Sequence, residues 1–104
     1  MNAKWLIAPV AAAALFVSGQ ASADLDLAKK SGCLACHGID KKIIGPAWKD
    51  IAARYKDDTG ARDLLIDKVK KGGKGTWGPS PMPPSSPRVS DANIEKLVDF
   101  ILDL

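Results

Sequence analysis

Apolar residues recur at helical intervals along the chain, most plainly near its end. Ile94, Leu97, Val98, Ile101 and Leu102 fall at i, i+3, i+4, i+7 and i+8, one face of an α-helix. Ser90 stands ahead of them as a good N-cap, and the Asp91 charge suits the first turn. Trp48, Ile51, Ala52 and Tyr55 form a second such face. The Gly45-Pro46 pair before it predicts a helix start with Pro46 at the first helical position. Ala61, Leu65 and Val69 make a third stripe, beginning near Thr59 or Gly60. Lys70 and Lys71 suit its negative end, and Gly72 stops it. A shorter first helix is expected over Asp24–Ser31, with Asp24 and Asp26 at its positive end and Gly32 past its last turn. No strand pattern of comparable length exists, so the expected fold class is all-α.

Two segments break the helical pattern. Gly72 to Val89 is rich in glycine and proline. A connection this long in a small domain is either functional or disordered, and Trp77 and Met82 within it favour an ordered, functional loop. At the other end, Lys4 is followed by an uncharged apolar run from Trp5 to Val17, and Ala21-Ser22-Ala23 is a small-residue cleavage pattern. Residues 1–23 therefore read as a cleaved secretory signal peptide, the run being short for a membrane span. The expected mature chain, residues 24–104, is one small exported domain, a monomer located in the periplasm and not inserted in the membrane.

Charge excludes one class of partner. Without Lys4 the chain carries 14 basic and 12 acidic side chains, a balance of +2, and no basic stripe interleaves with aromatics. That is not a nucleic-acid footprint. The lysines are nevertheless uneven: Lys41 and Lys42 sit together, and Lys68, Lys70, Lys71 and Lys74 cluster. These patches suit either a solvated surface or a docking face.

A domain of this size usually needs a covalent or metal staple. The candidate is Ser31-Gly-Cys-Leu-Ala-Cys-His-Gly38, which holds both cysteines, Cys33 and Cys36, and the one histidine, His37. A zinc site wants three or four protein ligands, and adjacent Cys36 and His37 are badly placed to share one ion. A thiol–disulfide enzyme wants a βαβ setting, which the helical pattern does not offer. The remaining reading is attachment of a c-type haem, for which Cys-x-x-Cys-His is the pattern. Its two thiols reach the two vinyl groups of the porphyrin, and the histidine is carried beneath the ring to meet the iron.

With no second histidine, bis-histidine ligation within one chain is excluded. After signal removal Met82 is the one methionine, in Ser-Pro-Met-Pro-Pro. A lone methionine is often a core gap-filler. Pro81, Pro83 and Pro84, however, fix φ on both sides and make the segment stiff and extended, a good way to hold a weak thioether at iron. A histidine–methionine pair raises the reduction potential, as electron carriers require.

Gly-Cys-Leu-Ala-Cys-His, Ile-Gly-Pro-Ala-Trp-Lys-Asp-Ile-Ala, Trp-Gly-Pro-Ser-Pro-Met-Pro-Pro and the closing amphipathic helix together resemble the small bacterial class I monohaem cytochromes c of the c-551/c-552 type. The resemblance covers residues 24–104. It implies a compact fold of about four helices wrapped around one covalently attached haem c, with the terminal helices packed across each other. It implies thioethers at Cys33 and Cys36 and axial iron ligands at His37 and Met82. It implies that the Pro46 carbonyl accepts a hydrogen bond from the ligating imidazole, that the Trp77 indole N–H binds a haem propionate, and that Lys68 lies near a propionate. Ala28 stands where some members carry an aromatic, which leaves the packing of the first helix on the last less defined.

The function these readings imply is one-electron transfer between respiratory redox partners, without catalysis. The family's partners are a quinol-oxidising complex upstream and a terminal oxidase or nitrite reductase downstream. The exposed haem edge is expected among Ile43, Ile44, Pro81 and the lysines. The rival is a haem enzyme or gas sensor, which needs an open iron position and polar distal groups. Arg54 and Arg88 are the side chains that could serve there, and nothing in the sequence places them.

Overall fold

The computed structural model describes the backbone from Ala8 and the side chains from Gly19 to Leu104. Helix α1 spans Ala8–Lys30, α2 Trp48–Arg54, α3 Ala61–Lys71 and α4 Asp91–Leu102. Between α3 and α4 lies an antiparallel hairpin of β1, Gly73–Gly75, and β2, Gly78–Met82. The fold is all-α with this one small ribbon inserted.

Helix α4 is the hub against which the other three pack. Its stripe is the core: Ile94 and Val98 are fully buried, and Leu97 and Ile101 nearly so. Ser90 caps it, its Oγ accepting from the Asn93 N–H at 3.2 Å. Ala28 of α1 is fully buried in the same cluster. At this position α1 packs directly on α4. Trp48 and Ile51 supply the side from α2, and the Trp48 ring meets Phe100 edge-on at 6.1 Å.

The structure redraws three boundaries. The helix expected from Asp24 is the last part of the longer α1, because no glycine or proline interrupts the chain between Val10 and the turn at Ser31 except the tolerated Gly19. Lys4 and the start of the apolar run lie outside the described residues. Pro46 is not the first residue of α2. The helix begins at Trp48, with Ala47 extended at φ −60° and ψ 140°. The reason lies in its partners: the Trp48 and Lys49 N–H groups donate to the carbonyls of Gly38 and Ile39 at 2.9 and 3.0 Å. These carbonyls cap α2 in place of a side chain and leave Pro46 in the connecting loop. Finally, the glycine- and proline-rich loop contains the hairpin. Gly73 pairs with Met82 and Gly75 with Gly78, with a bulge between. The strand Gly-Lys-Gly has no apolar alternation to announce it.

Candidate functional site

The site grows from the turn around the cysteines. A single 3₁₀ turn covers Cys33–Ala35, and the Cys33 carbonyl accepts from the N–H groups of Cys36 and His37 at 3.2 and 3.0 Å. That one acceptor folds the five residues so tightly that Cys33, Cys36 and His37 all line one cavity. The Cys36 carbonyl then accepts from Ile44 and Gly45 at 3.0 and 2.8 Å. It returns the chain against His37, with Gly45 facing the ring and Pro46 next.

His37 Nδ1 lies 2.8 Å from the Pro46 carbonyl oxygen. A carbonyl can only accept, so Nδ1 carries the proton and donates. Nε2 is left with its lone pair. The imidazole is thus held in one tautomer and one orientation, the arrangement that prepares a histidine to bind a metal. Gly45 completes the mount: a Cβ there would lie 2.6 Å from His37 Cε1. Trp48 lies alongside, its ring centroid 6.0 Å from that of His37.

Met82 lines the same cavity from the end of β2 and is half-buried. Gly72 stands at φ +71°, a conformation that favours glycine, and a Cβ there would collide with the Met82 carbonyl. The chain therefore turns sharply at the end of α3, and the hairpin brings Met82 back beside that turn. Trp77, exposed on the hairpin turn, also reaches the cavity. The Arg54 guanidinium lies 4.6 Å from the centre of its ring and donates to the Thr76 carbonyl at 3.1 Å. Lys68 lines the cavity from α3, its Nζ close to Gly73. All seven residues singled out from the sequence, Cys33, Cys36, His37, Pro46, Lys68, Trp77 and Met82, border this one space.

The space has a volume of about 310 Å³. Ile51 of α2 and Tyr55 just past its end, Leu65 and Val69 of α3, and Leu97 and Ile101 of α4 form its walls. The apolar stripes that read as helix faces are therefore shared between the core and the cavity, which periodicity alone does not reveal. Burial pushes the Cys33 thiol above its ordinary range, partly offset by the Arg88 guanidinium. Cys33 and Cys36 are both free thiols. Among the described residues no group of three or more His, Cys, Asp and Glu side chains forms a metal cluster, and the one sheet is antiparallel. Neither zinc nor a βαβ redox motif fits. Haem does: two thiols and an oriented imidazole nitrogen share an apolar cavity with a thioether sulfur, and Gly45 leaves room for the ring it supports.

Sequence reasoning missed Gly45 and the anchoring contacts of Arg54 and Arg88. Gly45 left a trace, since it adjoins Pro46. The arginine contacts left none. Arg54 is engaged with the Trp77 turn, and Arg88 donates to the Ser31 carbonyl at 2.9 Å.

Comparison with known proteins shows the family. The family model described as Cytochrome c matches residues 25–104. The chain is 51% identical over 104 residues to cytochrome c-552 of Nitrosomonas europaea, covering all of this chain and 99% of that one. It is 50% identical over 91 residues to cytochrome c-551 of Allochromatium vinosum, covering 88% and 96%. The crystal structure of wild-type Nitrosomonas europaea cytochrome c552 superposes with a TM-score of 0.73 at 51% identity, over 77% of this chain and 98% of that one.

Proposed function

The chain belongs to the cytochrome c family, a haem-bearing electron carrier and not an enzyme, and from that premise we propose that it is a periplasmic one-electron carrier in which His37 and Met82 would hold the iron. The haem supplies the redox chemistry, its iron passing between Fe(III) and Fe(II). Cys33 and Cys36 would hold it through thioethers. His37 would bind through Nε2, and the Pro46 carbonyl keeps the proton on Nδ1 and strengthens donation. Met82 would supply the second iron donor from the stiff proline segment. Trp77 and Lys68, on the rim, would meet the propionates.

The observation that carries this reading is the 2.8 Å contact between His37 Nδ1 and Pro46 in the cavity that Met82 also lines. An imidazole locked in that tautomer and a thioether on the same cavity would together make the ligand pair of a high-potential carrier. Arg54 and Arg88 are engaged with backbone carbonyls, which argues against the distal chemistry of a haem enzyme or sensor. Export is supported by the residues before Asp24, and the family match begins at residue 25. Cleavage after Ala23 would leave Asp24–Lys30 as the first helix. Among the described residues no helix is long and apolar enough to cross a membrane. The upstream partner is expected to be a quinol-oxidising complex and the downstream one a terminal oxidase or nitrite reductase.

The test is the absorption spectrum of the mature protein, oxidised and reduced. A c-type reduced spectrum with the weak far-red sulfur-to-iron band in the oxidised form is expected, and Met82→Ala should remove that band. A parent without the band that binds cyanide or carbon monoxide at once would overturn the ligand assignment and restore the enzyme or sensor reading.

A further inference from the structure

Arg88 lies on the segment between Met82 and the Ser90 cap of α4. Its Nη1 donates to the Ser31 carbonyl oxygen across 57 residues of sequence. Ser31 is buried and follows the last residue of α1. Carbonyls at a helix end lack intrahelical donors, and that end favours positive charge. Cys33 comes two residues later. Arg88 also lines the cavity, so its side chain bridges the cysteine side and the segment that follows Met82.

The other hydrogen bonds of that segment go to α3 or to itself, and its Val89 is buried in the core. The Ser85 and Ser86 N–H groups donate to the Val69 and Lys70 carbonyls at 3.0 and 3.3 Å, and Val89 donates to Ser85 at 2.8 Å. Arg88 ties it to the end of α1. Removing that bond would leave Ser85 and Ser86 tied to α3 and Val89 seated in the core, with no hydrogen bond from the segment to the cysteine side.

We propose that Arg88 is a positioning residue, a strap that holds the Met82 segment closed over the cofactor cavity from the Cys33 side. The reading rests on Met82 as an iron ligand. By holding the far end of the stiff proline segment, the strap limits how often the thioether leaves the iron. Arg54 holds the Trp77 turn to α2 through Thr76, at the near end of the same hairpin, so Arg54→Gln is the comparison that loosens a different anchor.

The experiment uses the mature haem-loaded protein, its Arg88→Gln and Arg88→Lys variants, and Arg54→Gln. Amide hydrogen exchange at Ser86 and Val89 and the rate of imidazole binding to the oxidised protein are measured together, with the reduction potential alongside. Arg88→Gln should speed both exchange and imidazole entry by roughly threefold to tenfold, the effect of losing one partly exposed hydrogen bond. Ile94 exchange, within α4, should not change. Arg88→Lys keeps the charge and loses the planar fork, so it should loosen the same amides by a smaller factor. Arg54→Gln should leave Ser86 and Val89 as in the parent. A lower potential in Arg88→Gln with exchange and imidazole entry unchanged overturns the strap and makes Arg88 a simple charge. If only one Arg88 variant matures, parent-like exchange in that variant overturns it equally. A parent without the far-red band defeats the Met82 reading by itself, and the Ser86 and Val89 amides still decide whether Arg88 holds the segment.

Discussion

Gly45 has no room for a side chain. An added Cβ would approach His37 Cε1 to 2.6 Å and Nδ1 to 3.0 Å, and the imidazole cannot retreat without losing the Pro46 carbonyl. Gly45→Ala should therefore tilt the ring, weaken its donation and raise the reduction potential. It should also cost about 1–3 kcal/mol of stability, the usual range for overpacking. Guanidinium unfolding of the haem-loaded protein and a redox titration check both; an unchanged potential would mean that the ring does not depend on this mount. At this scale the cysteines and His37 were legible because their chemistry is local, five residues in a row. Gly45 was not, because its role exists only after the Cys36 carbonyl has folded the chain back on His37. The role of Arg88 was illegible for the same reason taken further: nothing in a linear reading pairs it with Ser31.

Helix α4 carries most of the architecture, and its signals were complete: a cap, a first-turn aspartate and an unbroken stripe. Ile94→Ala, at a fully buried position, should cost about 2–5 kcal/mol. Ser90→Ala should cost about 1 kcal/mol through the lost bond to Asn93. Both are read from denaturant midpoints, and a Ser90→Ala loss as large as that of Ile94→Ala would show that the cap does more than hold one N–H. On the outer face Arg62 holds Asp99 with two bonds, 2.7 and 3.2 Å long, and reaches Glu95 at 3.6 Å. The hydrogen bond to Asp99, then its charge, raises the Arg62 pKa above an already high value. A base whose folded pKa is raised contributes its stability below the unfolded pKa and loses it only as pH climbs through the folded one. That window lies beyond the alkaline limit of ordinary work, so Arg62→Ala should give a small loss of Tm whose size does not vary between pH 7 and 9 and which shrinks in high salt. Besides the longer α1, the hairpin and the start of α2 were the elements misread. In both, backbone partners from elsewhere in the chain overrode local preference.

Across the whole molecule, the exposed apolar residues and the charges divide the surface. Ile43 and Ile44 are about half exposed, beside Lys41 and Lys42. Lys70 and Lys71, of the other lysine cluster, are ion-paired with Asp91 and Asp67 at 3.4 and 2.9 Å. Charge reversal at Lys41 and Lys42 should slow electron transfer to an acidic acceptor at low salt, with the effect fading as salt is added. Reversal at Lys70 and Lys71 should do less, because part of that charge is already balanced. Equal effects from the two pairs, in stopped-flow rates across a salt series, would remove the distinction. The capping of α2 by the carbonyls of Gly38 and Ile39 carries a last consequence. A seven-residue helix cannot persist alone, and this one takes its first acceptors from the loop that follows Cys33–His37. The helix and the loop must therefore form together, as one cooperative unit, and the Trp48 and Lys49 amides become reporters of whether that loop has closed during maturation of the chain.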